Sequence, residues 1–263
     1  TSARLRGVRE AGGQWIGFVD GDDLLEPDMY ERLLGNALAH HADISHCGYR
    51  MVFPNGRVDY YYNTGRLVQQ DHGAGIKDLL SGSFVEPGLW NKLYRSSLFA
   101  GIEERMDLTI KINEDLLMNY WLFQAARNAV YEDFCPYHYV LRPGSAATSS
   151  FNMYKLRDPL KVTRLILADA EAEYRPVLLN RLTYQLINSA TMDAAADPQL
   201  ILPFRKECRR ELRKNLGRIL LGRDCGLKLK IMAFWAAVWP WSYSLVHKVH
   251  GRITGNDKKY ALE

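Results

Sequence analysis

The chain has 263 residues, 47% of them hydrophobic and 24% charged, enough apolar material for a sizeable core and too much for a disordered or fibrous polymer. Its net charge of +4 is too small to point to a nucleic-acid partner. The charge is unevenly spread: residues 1–150 hold 14 basic and 19 acidic side chains, residues 151–263 hold 20 and 11.

Cys47, Cys135, Cys208 and Cys225 are widely spaced and form no CxxC pair, which argues against a zinc ribbon or disulfide framework and suits a reducing compartment. Neither an initiator methionine nor a signal-peptide pattern stands at Thr1, so the chain is expected to start inside a longer protein. Ala3 to Ala11 is helix-like and stops at Gly12-Gly13. The apolar run Trp15 to Val19 reads as a buried strand, Asp20-Gly21-Asp22-Asp23 as a loop, and Pro27 as the start of a helix through Leu38. Ile44 to Phe53 reads as a strand; Pro54-Asn55-Gly56 is a turn, so Arg57 to Tyr62 returns as a hairpin partner. A helix is predicted over Ala74–Leu80. Asn113 is placed to cap a helix bearing Leu116, Leu117, Tyr120 and Phe123, and Val130 to Val140 reads as a strand. Helices alternating with strands imply an α/β layer with its chemistry on loops at strand ends.

From about Asn152 the pattern is helical throughout. Residues 205–230 carry ten basic side chains against three acidic, and residues 231–246 are all uncharged, with Trp235, Trp239 and Trp241 among them. That run is short for a bilayer span, and Pro240 interrupts it. Aromatics between Lys228, Lys230, Lys248 and Arg252 suit either a buried helix or a membrane–water interface.

Four places could carry chemistry. Asp20, Asp22 and Asp23 repel one another unless a cation sits among them, and such hard oxygen donors suit Mg2+ or Mn2+; a solvated acidic turn is the plain alternative. An EF-hand loop starting at Asp20 fails at Leu24 and Leu25; a metal-dependent, dehalogenase-type phosphatase also places Asp-x-Asp after a strand and, although Leu24 stands where Thr or Val is expected, it stays as a competing reading. Glu114 and Asp115 fall in a first helical turn, where exposed N–H groups favour acids; there an ionised Asp115 can accept a proton, while Glu114 is freer to reach back as a cap partner. Trp90 and Lys92 offer a flat face and a charge, or else core packing with the lysine reaching for water. Arg142 with Ser145 opens a polar loop, preceded by His138; His40, His41 and His46 read as structural.

In order, Ser2-Ala3-Arg4 to Gly7, Gly13, Phe18 to Asp23, Leu25 to Tyr30, Trp90 to Arg95, Asn113-Glu114-Asp115 and the Tyr137–Ser149 loop resemble the family-2 glycosyltransferases, bacterial enzymes of the GT-A fold that build surface polysaccharides. The resemblance implies an α/β fold, with residues 1–150 as a partial, Rossmann-like GT-A sheet layer lacking its N-terminal nucleotide-binding half; the pattern of residues 151–263 adds an all-helical, basic C-terminal region with a membrane-surface anchor expected around 226–250. The resemblance further implies that Asp20 and Asp22 hold a divalent cation against a nucleotide-sugar diphosphate, with Asp23 in support. Asp115 is then the base of an inverting transfer to a glycan or lipid-linked acceptor, and Glu114, Trp90, Lys92 and Arg142 contact substrates. The expected place of work is the cytoplasmic face of the cell membrane, against anionic lipid. Because the family's opening acidic motif has no match here, the first strands are expected to lack partners, and a non-catalytic assembly partner with a degenerate fold remains the alternative.

Overall fold

In a computed structural model, residues 1–142, 152–194 and 197–254 are described. They belong to two compact units, Thr1–Ser149 and Ser150–Ala261, taken separately below.

The first unit opens with α1 (Ser2–Glu10) and β1 (Trp15–Gly17), then β2 (Leu24–Leu25), α2 (Met29–Ala39), β3 (Ile44–Val52), β4 (Val58–Tyr60) and β5 (Leu67–Asp71). It continues with α3 (His72–Ser81), β6 (Lys92–Arg95), the short α4 (Ile102–Arg105), α5 (Glu114–Ala125) and β7 (Asn128–Val140). The seven strands form one mixed sheet in the order β1-β6-β3-β7-β2, with β4 added to β3 and β5 to β7; only β3 and β7 run parallel. β3 is at the centre of the sheet, and seven of its nine residues are buried, as a strand covered on both faces is. Alternate side chains serve opposite layers. Cys47 packs with Met29 and Leu33 of α2, while the ring of its neighbour His46 lies 6.1 Å from that of Phe123 on α5.

β7 is the strand that shapes the site. Its pairing with β3 slips between Cys47↔Glu132 and Tyr49↔Tyr137, leaving Asp133–Pro136 outside the ladder. Pro136 has no N–H to donate, so a bulge is where a central strand tolerates it. The Asp133 carboxylate accepts the backbone N–H groups of Asn63 and Thr64 and so fixes the bulge to the chain entering β5. Beyond the bulge, Tyr137 and His138 pair with β2, and the Tyr137 hydroxyl reaches the loop after β1. At the other end Asp43 accepts hydrogen bonds from Arg95 and from the backbone and guanidinium of Arg127, joining the ends of β3, β6 and β7.

Several expectations change. The Trp15–Val19 strand is only three residues long, and Val19 is exposed, because the chain leaves the sheet at Gly17. β1 is not without a partner: Trp15, Ile16 and Gly17 pair antiparallel with Arg95, Tyr94 and Leu93 on one side. Asn113 precedes α5 in a left-handed conformation, φ 69°, and its side chain makes no capping bond.

The second unit consists of α6 (Tyr154–Asp169), α7 (Arg175–Thr191), α8 (Pro198–Leu221), α9 (Leu227–Val238) and α10 (Pro240–Thr254). α8 starts at an Asp197 cap with Pro198 in its first turn, the position where a missing N–H costs nothing. Leu186, Ile187, Phe204, Leu212, Leu229 and Ala233 lie in the shared core. The uncharged run at 231–246 is divided between α9 and α10 at Trp239, next to Pro240. No helix among the described residues is long and apolar enough to cross a membrane.

Candidate active site

The sheet brings three distant stretches of chain to one guanidinium. Arg4 of α1 donates to Asp20 Oδ1 at 3.2 Å, to Glu114 Oε1 at 3.1 Å and to Asp115 Oδ1 at 2.5 Å. Asp20 leaves the end of β1, and Glu114 and Asp115 open α5; no local pattern brings them together. Arg4 answers the repulsion that three neighbouring carboxylates impose on one another. Burial works against its charge, yet the acids more than compensate and its pKa is raised. Burial also pushes the Asp115 carboxyl up to about 6; Arg4 pulls it down, while Glu114 and Asp20 push with burial. At neutral pH Asp115 is therefore mostly ionised and still basic enough to take a proton.

The acidic loop is anchored from β7. The Tyr137 hydroxyl donates to Asp23 Oδ2 at 2.7 Å and accepts from the Asp20 backbone N–H at 3.2 Å. The Val140 N–H donates to Asp23 Oδ1 at 2.8 Å, and Arg142 donates to the Asp22 carbonyl at 2.5 Å. Asp23 thus holds the loop in shape with both oxygens engaged; burial raises its pKa, and these two bonds pull it back. Asp22 is exposed and the Asp20 side chain is about one-third exposed. Just before the loop, a Cβ on Gly17 would lie 2.6 Å from the Tyr30 ring, whose hydroxyl donates to the Phe18 carbonyl; only glycine admits that ring.

Two residues read as substrate contacts lie underneath instead. Lys92 is completely buried, and its ammonium donates to the carbonyls of Glu86 and Gly88 at 2.5 Å and to Asn91 Oδ1 at 2.7 Å. It neither reaches water nor presents its charge to a phosphate, because all three N–H groups are spent on the 86–91 segment. Trp90 is buried too, with Tyr137 stacked on it at 4.4 Å and Tyr49 edge-on at 4.9 Å, so its ring supports the tyrosine that fixes the acidic loop. Asn119 extends the scaffold: it accepts from the Tyr94 hydroxyl and donates to the carbonyls of Pro87 and Asp115.

His138 stands in a separate cluster with Glu26 and Arg50. Ser145 and the rest of the 143–150 loop lie outside the described residues. Arg4, Tyr137 and Asn119 had no assigned role in the sequence reading. Arg4 stood in a quoted motif, but nothing local marks it as the partner of acids more than a hundred residues away. A 480 Å³ groove, lined by Arg4, Gly7, Val8, Trp15, Gly17 and Val19 among others, runs beside it between α1 and β1.

Residues 1–99 match the family described as Glycosyl transferase family 2. That match lies within the N-terminal unit. Over 148 residues the chain is 31% identical to the uncharacterized glycosyltransferase EpsJ of Bacillus subtilis, covering 55% of this chain and 43% of that protein. With the uncharacterized glycosyltransferase YibD of Escherichia coli it shares 27% over 178 residues, 62% of this chain and 50% of the other. The chain thus spans half or less of these curated relatives. Among solved structures, S. aureus TarS 1–349 in complex with UDP-GlcNAc aligns with a TM-score of 0.60 at 14% identity, covering 94% of this chain and 71% of that one. At that identity the likeness speaks for the fold alone, the GT-A type of α/β layer with a helical C-terminal region.

In the N-terminal unit the donor chemistry at Asp20 and Asp22 fits a hard divalent cation that completes its shell with phosphate and water. It does not fit an all-protein cage: among the described residues no group of three or more His, Cys, Asp or Glu side chains is placed to hold a metal ion.

Proposed function

We propose that the intact protein transfers a sugar, with inversion, from a nucleoside-diphosphate donor to a glycan or lipid-linked acceptor in polysaccharide synthesis. The observation that carries this is the shared guanidinium: the acid expected to face the donor, Asp20, and the acid expected to act as base, Asp115, touch the same Arg4. The family match over residues 1–99 and the UDP-GlcNAc named for TarS support a nucleotide-sugar donor.

In this reading Asp115 accepts the proton of the acceptor hydroxyl as its oxygen forms the new bond to the anomeric carbon. The old carbon–oxygen bond breaks and its electron pair leaves on the diphosphate. Arg4 keeps Asp115 ionised and aimed, and Tyr137 with Arg142 keeps the acidic loop in position. Asp20 and Asp22 would hold Mg2+ or Mn2+, which when bound supplies positive charge to the leaving diphosphate. The protein works at the inner face of the cell membrane, where a lipid-linked acceptor is met.

Calorimetric binding of nucleotide-sugars with and without Mn2+, run beside a transfer assay on the full-length protein, tests this. Asp22→Asn is expected to abolish the Mn2+-dependent part of donor binding. Asp115→Asn should leave donor binding intact and lower kcat by about 10²–10⁴-fold, the usual contribution of a general base. Transfer surviving in Asp115→Asn overturns the assignment.

A further inference from the structure

Helix α9 is apolar on two opposite sides. Leu229, Ala233, Ala236 and Ala237 face the core of the helical unit. Leu227, Ile231, Phe234 and Val238, spaced four, three and four residues apart, form a stripe on the other side and are all exposed, Leu227 by 73%. A helix on the surface of a water-soluble unit ordinarily has one apolar face. Lys228 and Lys230 fall on the two margins of this stripe. The exposure continues through Trp239 into α10, where Trp241, Leu245 and Val249 recur every fourth residue; Trp241 is 71% exposed. Tyr243 is buried in the core and the Ser244 hydroxyl donates to the Thr191 carbonyl, so α10 is seated on the unit.

A second feature adjoins the end of the stripe. A 510 Å³ groove along α8 is lined by Leu202, Arg205, Lys206, Arg209, Arg210 and Arg213, with no acid among them. Three of these arginines are anchored on carbonyls at helix ends: Arg205 on Met192, Arg209 on Ala190 and Arg213 on Ala237. Ala237 is the residue before Val238 and Trp239, so the cationic groove meets the apolar stripe there. Like charges crowd the groove: burial first, then Arg205 and Arg213, lower the pKa of Arg209. Lys206 and Arg210 are exposed within it.

We infer that the α9–α10 stripe and the α8 groove together form a docking surface for an anionic lipid bilayer, the stripe entering the headgroup boundary and the groove taking lipid phosphates. Charge complementarity selects this occupant. A soluble polyanion would use the groove but leave the tryptophans and aliphatics in water, and a second copy of the chain would bring a like-charged groove against this one. Tryptophan and aliphatic side chains beside lysine and arginine are what the membrane–water interface accepts. The inference deepens the membrane part of the reading above and rests on it, but not on the sugar chemistry, because vesicle binding needs no donor.

The test is flotation of the full chain with vesicles of phosphatidylcholine containing one-third phosphatidylglycerol, beside vesicles of phosphatidylcholine alone. Binding is expected to be at least tenfold tighter to the anionic vesicles and to weaken with added salt. Ile231→Ser with Trp241→Ser should lower it at least tenfold, and Lys206→Glu with Arg210→Glu should remove the preference for anionic lipid. All four side chains are exposed or at the groove mouth, and unchanged melting would show the fold kept. Failure to bind anionic vesicles, or binding indifferent to both pairs, overturns the inference. So does a monomer–dimer shift in the first pair, which makes the stripe a self-interface, or retention of a long-chain polyphosphate by the groove without vesicle binding. Donor binding measured in parallel separates any of these from failure of the glycosyltransferase reading.

Discussion

Lys92→Met probes the buried amine directly. In the folded chain burial lowers the pKa of Lys92 from 10.5 to about 8, with nearby carboxylates opposing the shift. At pH 7 the amine is charged, at a burial cost of about 3 kcal/mol from the conversion of 1.36 kcal/mol per pKa unit. Methionine relieves that cost but strands two backbone carbonyls and the Asn91 oxygen, each worth about 1–3 kcal/mol when left unpaired. The two effects largely offset, so the variant is expected within about 2–3 kcal/mol of the parent at pH 7, on the destabilised side. The sharper expectation is in the pH dependence. Between about pH 8 and 10.5 the folded chain has released this proton and the unfolded chain still holds it, so the parent gains stability as pH rises. Urea unfolding at pH 7, 8, 9 and 10 should therefore show the gap between parent and variant widening by about 2–3 kcal/mol, other titrating groups cancelling in the difference. Parallel profiles would mean an amine in water with an ordinary pKa, and the buried scaffold beneath the acidic loop would be refuted.

Arg4→Gln removes the cation beside Asp115, and loss of an opposite charge at that distance should raise the carboxyl from about 6 by about 1–3 units. The acidic limb of the pH–rate profile for transfer then moves up by the same amount, and an unmoved limb would show that Arg4 does not control the base. Asp43 is held at about 2, chiefly by the hydrogen bonds from Arg127, against the opposing pull of burial. Its folded pKa lies below 3.8, so its stabilisation is complete above that value and is lost as pH falls from about 4 to 2; Asp43→Asn should remove about 2 kcal/mol of that acid dependence in thermal melts.

Where the local pattern sufficed, the elements matched. α1, α2, β3, the β3–β4 hairpin, α3, α5 and β7 follow from glycine stops, turn residues and apolar spacing, all of which act over a few residues. Where a residue's fate depends on what packs against it, the reading diverged. A lysine four residues from a glycine looks the same whether it faces water or three carbonyl oxygens. Trp90 offers the same flat face to a sugar or to Tyr137. Asp23 reads like Asp22 until Tyr137 and Val140, more than a hundred residues away, claim both of its oxygens.

The amino-acid order alone determined the class of fold, the change of character near residue 150, and which acids stand at the end of a strand and the start of a helix, because these are properties of short stretches. The bulge in β7, the burial of Lys92 and the meeting of Asp20, Glu114 and Asp115 on Arg4 were decided only when the sheet closed. They depend on distances between residues far apart in the chain, and electrostatic and packing energies follow those distances rather than positions in the sequence.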